Sequence, residues 1–200
     1  MFNTLLKDKK FLSEVKNWWK QHQKEILDII IFGSVMRGKR MPEDIDILLL
    51  FKEKENLETA YVLRKKLQKI QPEINVTTKT YQSVMSKSFL AGEAYLSEGY
   101  SLIMKKWVAE AWGYTPYTLF KYRLKGWPQS KRMQFQYSLY GRDKEGGMVK
   151  MLKLVKFADT IILSPRERTE ETRAYLTQWN MTFQEFPILL PSKIFPSTRM

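Results

Sequence analysis

The chain has 200 residues, 44% hydrophobic and 14% aromatic, enough to build a core in one large domain or two small ones. It carries no cysteine and a single histidine, His22, which excludes disulfides, thiolate metal sites and multi-histidine zinc centres; a metal here would sit on oxygen ligands, as Mg²⁺ or Mn²⁺ do. The net charge of +13 suits a polyanion such as nucleic acid or nucleotide, no apolar run reaches the ~20 residues of a bilayer span, and the N-terminus does not read as a secretory signal, so a soluble, cytoplasmic protein is expected.

Residues 8–23 read as an amphipathic helix, with Phe11, Leu12, Val15, Trp18 and Trp19 on one stripe. Trp18 and Trp19 read as core or interface, and His22 as a helix-end residue rather than a catalyst. A buried strand over 26–32 ends at Gly33-Ser34, and a second strand covers 44–51. Residues 56–70 are predicted helical and stopped by Pro72. A short strand follows at 74–78. Residues 81–85 and 91–112 read as helical, the latter interrupted near Gly92 and Gly99; Glu93 and Glu98 in it suggest no specific role. Thr115-Pro116 and Gly126-Trp127-Pro128 mark a looped boundary.

Beyond it the texture changes. Residues 130–140 fit a basic amphipathic helix, 141–147 a charged turn, and 150–156 an alternation of basic and apolar residues. A strand is expected at 158–164, a helix at 166–179 and a last strand at 182–190. The reading is an α/β (α+β) domain over 1–115, then a smaller basic α+β domain over 116–200.

The chemistry concentrates in FGSVMRGKRMPEDIDILLLF, residues 32–51. Alternation along a strand puts Asp44, Asp46, Leu48 and Leu50 on one face and Ile45, Ile47, Leu49 and Phe51 on the other. The two carboxylates would lie roughly 6–7 Å apart along the backbone and repel each other where water is partly excluded. A divalent cation would relieve that cost; solvated aspartates on an edge strand are the plain alternative. The preceding turn favours a ligand. Gly33 lets backbone approach closely, the following amides and the Ser34 hydroxyl can meet phosphate oxygens, and Arg37, Lys39 and Arg40 place positive charge where a triphosphate would sit.

This segment resembles the signature of the DNA polymerase β-like nucleotidyltransferase superfamily, in particular its minimal archaeal and bacterial members. EGYSL and SLYGR resemble, more distantly, archaeal proteins that join such a domain to a small C-terminal one. The resemblance implies a mixed sheet flanked by helices. It implies Mg²⁺-dependent transfer of a nucleoside monophosphate from an NTP to a hydroxyl, with release of pyrophosphate. Gly33 and Ser34 match the phosphate-binding pair, Asp44 and Asp46 the metal ligands.

The family's third carboxylate comes from a later strand. In EINVTTKT the matching position is Asn75, which offers a carbonyl oxygen but no charge and no base. Glu73, on the same strand face, is the substitute one pleat away. Three outcomes stay open: Glu73 completes the site, Asn75 suffices with low or metal-selective activity, or the domain binds without chemistry.

From 105 to 156 twelve basic residues face three acids. Lys121, Arg123, Lys125, Lys131, Arg132 and Arg142, interleaved with aromatics, are candidates for nucleic-acid phosphate contacts. Phe135, Leu139 and Tyr140 share helical spacing and read as core rather than stacking platforms. The expected partners are an NTP and nucleic acid, with no membrane. A nucleotidyltransferase is the first reading. A non-catalytic nucleic-acid-binding protein on the same fold is the second, and a small-molecule or protein nucleotidylating enzyme, including a toxin–antitoxin component, the third.

Overall fold

The computed structural model describes residues 5–39, 42–86, 92–142 and 146–195. It divides into two compact units, Met1–Trp112 and Gly113–Met200. No helix among the described residues is long and apolar enough to cross a membrane.

The first unit begins with α1 (Lys9–His22), capped by the Asp8 carboxylate, which accepts from the amides of Lys10 and Phe11. Its predicted stripe is the one it buries: Phe11, Val15 and Trp18 are inaccessible, each stabilising by about 1.5–3 kcal/mol. His22 closes the helix, its Nδ1 2.9 Å from the Trp18 carbonyl and its ring stacked on Trp18. Then come β1 (Ile26–Phe32), a 3₁₀ turn (Ser34–Arg37), β2 (Ile45–Phe51), α2 (Leu57–Gln68), β3 (Ile74–Thr80), α3 (Tyr81–Val84) and α4 (Gly92–Glu98). Asn56 caps α2 through the amides of Glu58 and Thr59. Thr80 and Ser83 form a capping box that turns β3 directly into α3.

The region expected to be helical from 91 to 112 is corrected. After α4 the chain forms β4 (Tyr100–Ser101), β5 (Lys106–Trp107) and a 3₁₀ turn (Val108–Trp112); Ala91 lies outside the described residues. The cause is tertiary. β4 pairs with β1, Ile30 opposite Ser101 and Ile31 opposite Tyr100, and so satisfies backbone groups along the side of β1 away from β2. Two-residue strands carry no periodicity to read in advance.

The sheet order is β3-β2-β1-β4-β5, with β2 and β3 parallel and the other pairs antiparallel, a mixed sheet flanked by helices. One face holds Ile29, Ile31, Ile47, Leu49 and Phe51 against α1 and α2. The other holds Ile30, Leu48 and Leu50 against Val84, Tyr95 and Val108.

The second unit is a four-stranded antiparallel sheet, order β7-β8-β6-β9, with helices on one face. Its elements are β6 (Tyr114–Arg123), α5 (Gln129–Tyr140), α6 (Gly147–Met151), β7 (Val155–Ala158), β8 (Ile161–Pro165), a 3₁₀ turn (Arg166–Arg168), α7 (Thr169–Gln178) and β9 (Thr182–Pro191). Thr115-Pro116 is not a loop, as its composition suggested, but the start of β6. Pairing with β8 begins only at Tyr117, so Pro116 lies at an end where β6 has a neighbour on one side only, the position a strand proline tolerates. The strand expected at 158–164 is the second arm of a hairpin whose first arm is β7. Phe120, Tyr122, Phe135, Leu139, Ile162, Tyr175 and Leu176 form the core.

Candidate active site

In register, Phe32 of β1 lies opposite Asp46 of β2, and Asp46 lies beside Asn75 of β3. Residues in register on neighbouring strands share a face. Phe32, Asp46 and Asn75 therefore project from the side of the sheet that carries Ile30 and Leu48. Asp44 immediately precedes β2 and is exposed, whereas Asp46 is half-buried. Both line a cleft of about 400 Å³ with Gly33, Ser34, Lys39 and Glu98.

The turn after β1 is built against this carboxylate. Gly33 has φ 85° and ψ −152°, a conformation open essentially to glycine alone. A Cβ there would stand 3.0 Å from Asp46 Oδ2. The turn closes with Met36 N–H donating to the Gly33 carbonyl at 3.0 Å and Gly38 N–H to that of Val35 at 3.1 Å. Val35 and Met36 are buried and pin it to the core, leaving Ser34 on the cleft.

Burial raises the Asp46 carboxyl above the usual range, and the neighbouring Asp44 charge raises it further. Arg37 and Lys39 also line the cleft, and each already meets an acid there. Arg37 Nη1 donates to both Glu98 oxygens at 2.9 and 2.8 Å, and Lys39 stands 3.5 Å from exposed Glu43. Arg40 lies outside the described residues. The sequence left two acids of the cleft, Glu43 and Glu98, without a role. Glu98 is buried at the end of α4.

Asn75 is exposed on the pleat beside Asp46. Glu73 falls one residue before β3, is exposed, and accepts the Ile45 N–H through its carbonyl at 2.8 Å; its side chain is not among those lining the cleft. No group of three carboxylates or histidines able to hold a metal occurs among the described residues. Asn75 does not line the cleft either, but Asp44 and Asp46 by themselves are a donor set that suits Mg²⁺, which binds one or two carboxylates and takes waters and substrate phosphates for the rest.

The basic candidates of the second unit do not share one face. Lys121 and Arg123 alternate along β6 with buried Phe120 and Tyr122, which face α5, so both point to the other side of the sheet. Lys125 is exposed in the turn that follows. Lys131, on α5, lies 4.0 Å from the Trp127 ring, and Arg132 Nε donates to the Trp127 carbonyl at 3.0 Å. Arg142 lines a separate cavity. Phe135 and Leu139 are fully buried, with Tyr140 packed against them, as their spacing implied.

Residues 13–98 match the family described as "Polymerase beta, Nucleotidyltransferase". No curated protein matches the chain. Among solved structures, the chain is similar to a toxin–antitoxin complex with AMP-PNP, at 18% identity and a TM-score of 0.36, over 46% of this chain and 71% of that one. It is also similar to a tri-AMPylated Shewanella oneidensis HEPN toxin in complex with MNT antitoxin, at 17% identity and a TM-score of 0.33, over 47% of this chain and 70% of that one.

Proposed function

From the match of residues 13–98, which form a nucleotidyltransferase domain of the polymerase β type, we propose that the protein transfers a nucleoside monophosphate from an NTP to a hydroxyl, with nucleic acid as the acceptor. The acceptor oxygen bonds to the α-phosphorus, the bond from that phosphorus to the β-phosphate bridge breaks, and pyrophosphate leaves. Mg²⁺ or Mn²⁺, when bound, supplies charge stabilisation of the phosphates. Asp44 and Asp46 hold it. The Gly33-Ser34 turn positions the triphosphate by close backbone approach and the Ser34 hydroxyl. Lys39, whose exposed pair with Glu43 is weak, turns to the leaving pyrophosphate. Arg37, through Glu98, fixes the turn to the end of α4. Asn75 offers a carbonyl acceptor and no base, so the attacking hydroxyl loses its proton to water.

The observation that carries this reading is the contact between Gly33 and Asp46: a turn only glycine can make, laid against a carboxylate that burial has already penalised. The test is incubation with labelled NTPs and Mg²⁺ or Mn²⁺, with RNA, DNA and protein acceptors in parallel. Asp46→Asn is expected to lose at least about 100-fold in rate, about 2.7 kcal/mol at 1.36 kcal/mol per decade. Equal labelling by both proteins discards the site, and label on protein rather than nucleic acid discards the acceptor. The second reading, a binding module that has lost chemistry, is favoured by Asn75 standing in register beside Asp46 where a third acid is expected.

A further inference from the structure

The helices of the second unit pack on one face of its sheet, towards Phe120, Tyr122 and Ile162. Strand register places a different set on the other face. Leu119 lies opposite Leu163 and Phe186, Lys121 opposite Ile161 and Gln184, and Arg123 opposite Thr182. Phe157 joins this face from β7, where a register shift between Lys156 and Ala158 marks a bulge. Its ring centroid lies 6.4 Å from that of Phe195, which lies 6.4 Å from that of Tyr117 on the same face of β6.

None of the strand residues on this face is acidic. Glu185 is the one acid within the four strands, and it sits opposite Phe120 on the helix side, paired with Arg173 of α7. Asp159, in the turn between β7 and β8, pairs with Lys156, whose Nζ lies 5.6 Å from the Tyr140 ring centroid, again on the helix side. Glu167, in the 3₁₀ turn after β8, acts at Tyr117, towards the opposite end of β6 from Arg123: burial raises that phenol above its ordinary value and the Glu167 charge raises it further. Residues 196–200, outside the described residues, contain no acidic side chain. Lys121 and Arg123 are exposed, and the side chain of neither meets an acid among the described residues. Phe157 is 53% exposed and Phe186 47%, one on each edge strand. Three strand spacings of ~4.8 Å set the two rings about 14 Å apart, with Lys121 and Arg123 between them. The charge selects the occupant. A second copy laid on this face about a two-fold axis would bring like charges together, whereas a nucleic-acid strand brings phosphates to the cations and bases to the rings.

We propose that the open face of this sheet binds a single-stranded nucleic acid, with phosphates on Lys121 and Arg123 and bases stacked on Phe157 and Phe186. Leu119 and Ile161 form the apolar floor between the rings, and the Gln184 amide, next to Lys121, can pair with a base edge. The proposal deepens the acceptor reading above and rests on it for the kind of ligand, not for the face. Two neutralised phosphates at about 0.7 per contact contribute about −1.4 to the log–log salt slope.

The test uses the full chain in EDTA, which silences cation-dependent binding at the aspartate cleft, so failure of this face is separable from failure of the catalytic reading. Anisotropy is read with labelled oligouridylate and oligothymidylate of about ten nucleotides, and with a duplex of the same length. Lys121→Gln with Arg123→Gln is expected to weaken strand binding about tenfold and to flatten the salt slope by about 1.4. Phe186→Ala and Phe157→Ala are each expected to weaken it about fivefold or more with the salt slope kept. Lys16→Gln with Lys20→Gln, an equal charge loss on the exposed side of α1, should leave it unchanged. Strand binding with these dependences in a protein that transfers no nucleotide keeps the face and favours the binding-module reading. The proposal is overturned by absence of strand binding, by equal losses in the two double variants, or by duplex binding as tight as strand binding. A dimer in sedimentation that Phe186→Ala dissolves assigns the face to a second copy and overturns it too.

Discussion

Replacing Gly33 with alanine strains the cleft in two ways at one position. The residue sits at φ 85° and ψ −152°, where a side chain costs about 1–3 kcal/mol. The added Cβ would also lie 3.0 Å from Asp46 Oδ2. The Asp46 backbone cannot retreat, because β2 is paired with β1 on one side and β3 on the other. The carboxylate must rotate instead, away from the position it shares with Asp44. The expected loss is about 2 kcal/mol, which moves a urea midpoint by about 1 M at a slope of about 2 kcal/mol/M. Amide-exchange protection of β1 and β2, followed against urea, isolates the first unit from the second. Nucleotidyl transfer should fall further than the folded fraction, because the surviving folded molecules carry a displaced Asp46. If Gly33→Ala stays within about 0.5 kcal/mol of the parent and transfers at the same rate, the turn is not built around Asp46 and the reasoning fails.

The buried Asp28 gives a pH prediction. Burial pushes its carboxyl up to about 6, against 3.8 unperturbed, even though the Ser101 hydroxyl and the Ile29 amide both donate to it at 2.8 Å. The folded state therefore takes up this proton before the unfolded state does. Stability should rise as pH falls from about 6 towards 4, by about 3 kcal/mol, and be lost again on the way up. Asp28→Asn should flatten that part of the profile in parallel unfolding titrations; an unchanged difference between pH 7 and 4.5 would refute it. Arg37→Ala leaves Glu98, 5% exposed, without its bidentate partner. It should cost about 3 kcal/mol, the low end for a broken buried pair because Arg37 is partly exposed, and adding Glu98→Gln should recover part of the loss in urea melts. Asn75→Asp places a third carboxylate in register with Asp46. It should raise Mg²⁺-dependent incorporation at least several-fold, about 1 kcal/mol or more, and no gain in a silent protein favours the binding-module reading.

Much of the N-terminal unit could be read from residue patterns. Ile26 to Phe32 is apolar at nearly every position, as a strand covered on both faces must be, and its observed bounds are those expected. Alternation placed Asp46 with Leu48 and Leu50, and the sheet keeps that division. The start of β2 moved to Ile45, whose N–H pairs with the Glu73 carbonyl, and the strand expected at 74–78 runs on to Thr80. Misreadings fell where distant contacts outweigh local pattern. Residues 100–107 look helical by composition, yet they pair along β1. Pro116 looks like a boundary, yet it opens a ten-residue strand.

The sequence by itself determined the local chemistry: which residues of β2 share the face of Asp46, where only glycine can turn, and that the chain is cationic enough to meet phosphate. Side-chain alternation and backbone sterics act over a few residues, so a few residues suffice to read them. Tertiary structure alone decided that Arg37 meets Glu98 sixty-one positions away, that β4 pairs along β1, and that Lys121 and Arg123 face away from α5. Those pairings depend on strand order and on which helix covers which face, and such long-range packing leaves no spacing along the chain to be read.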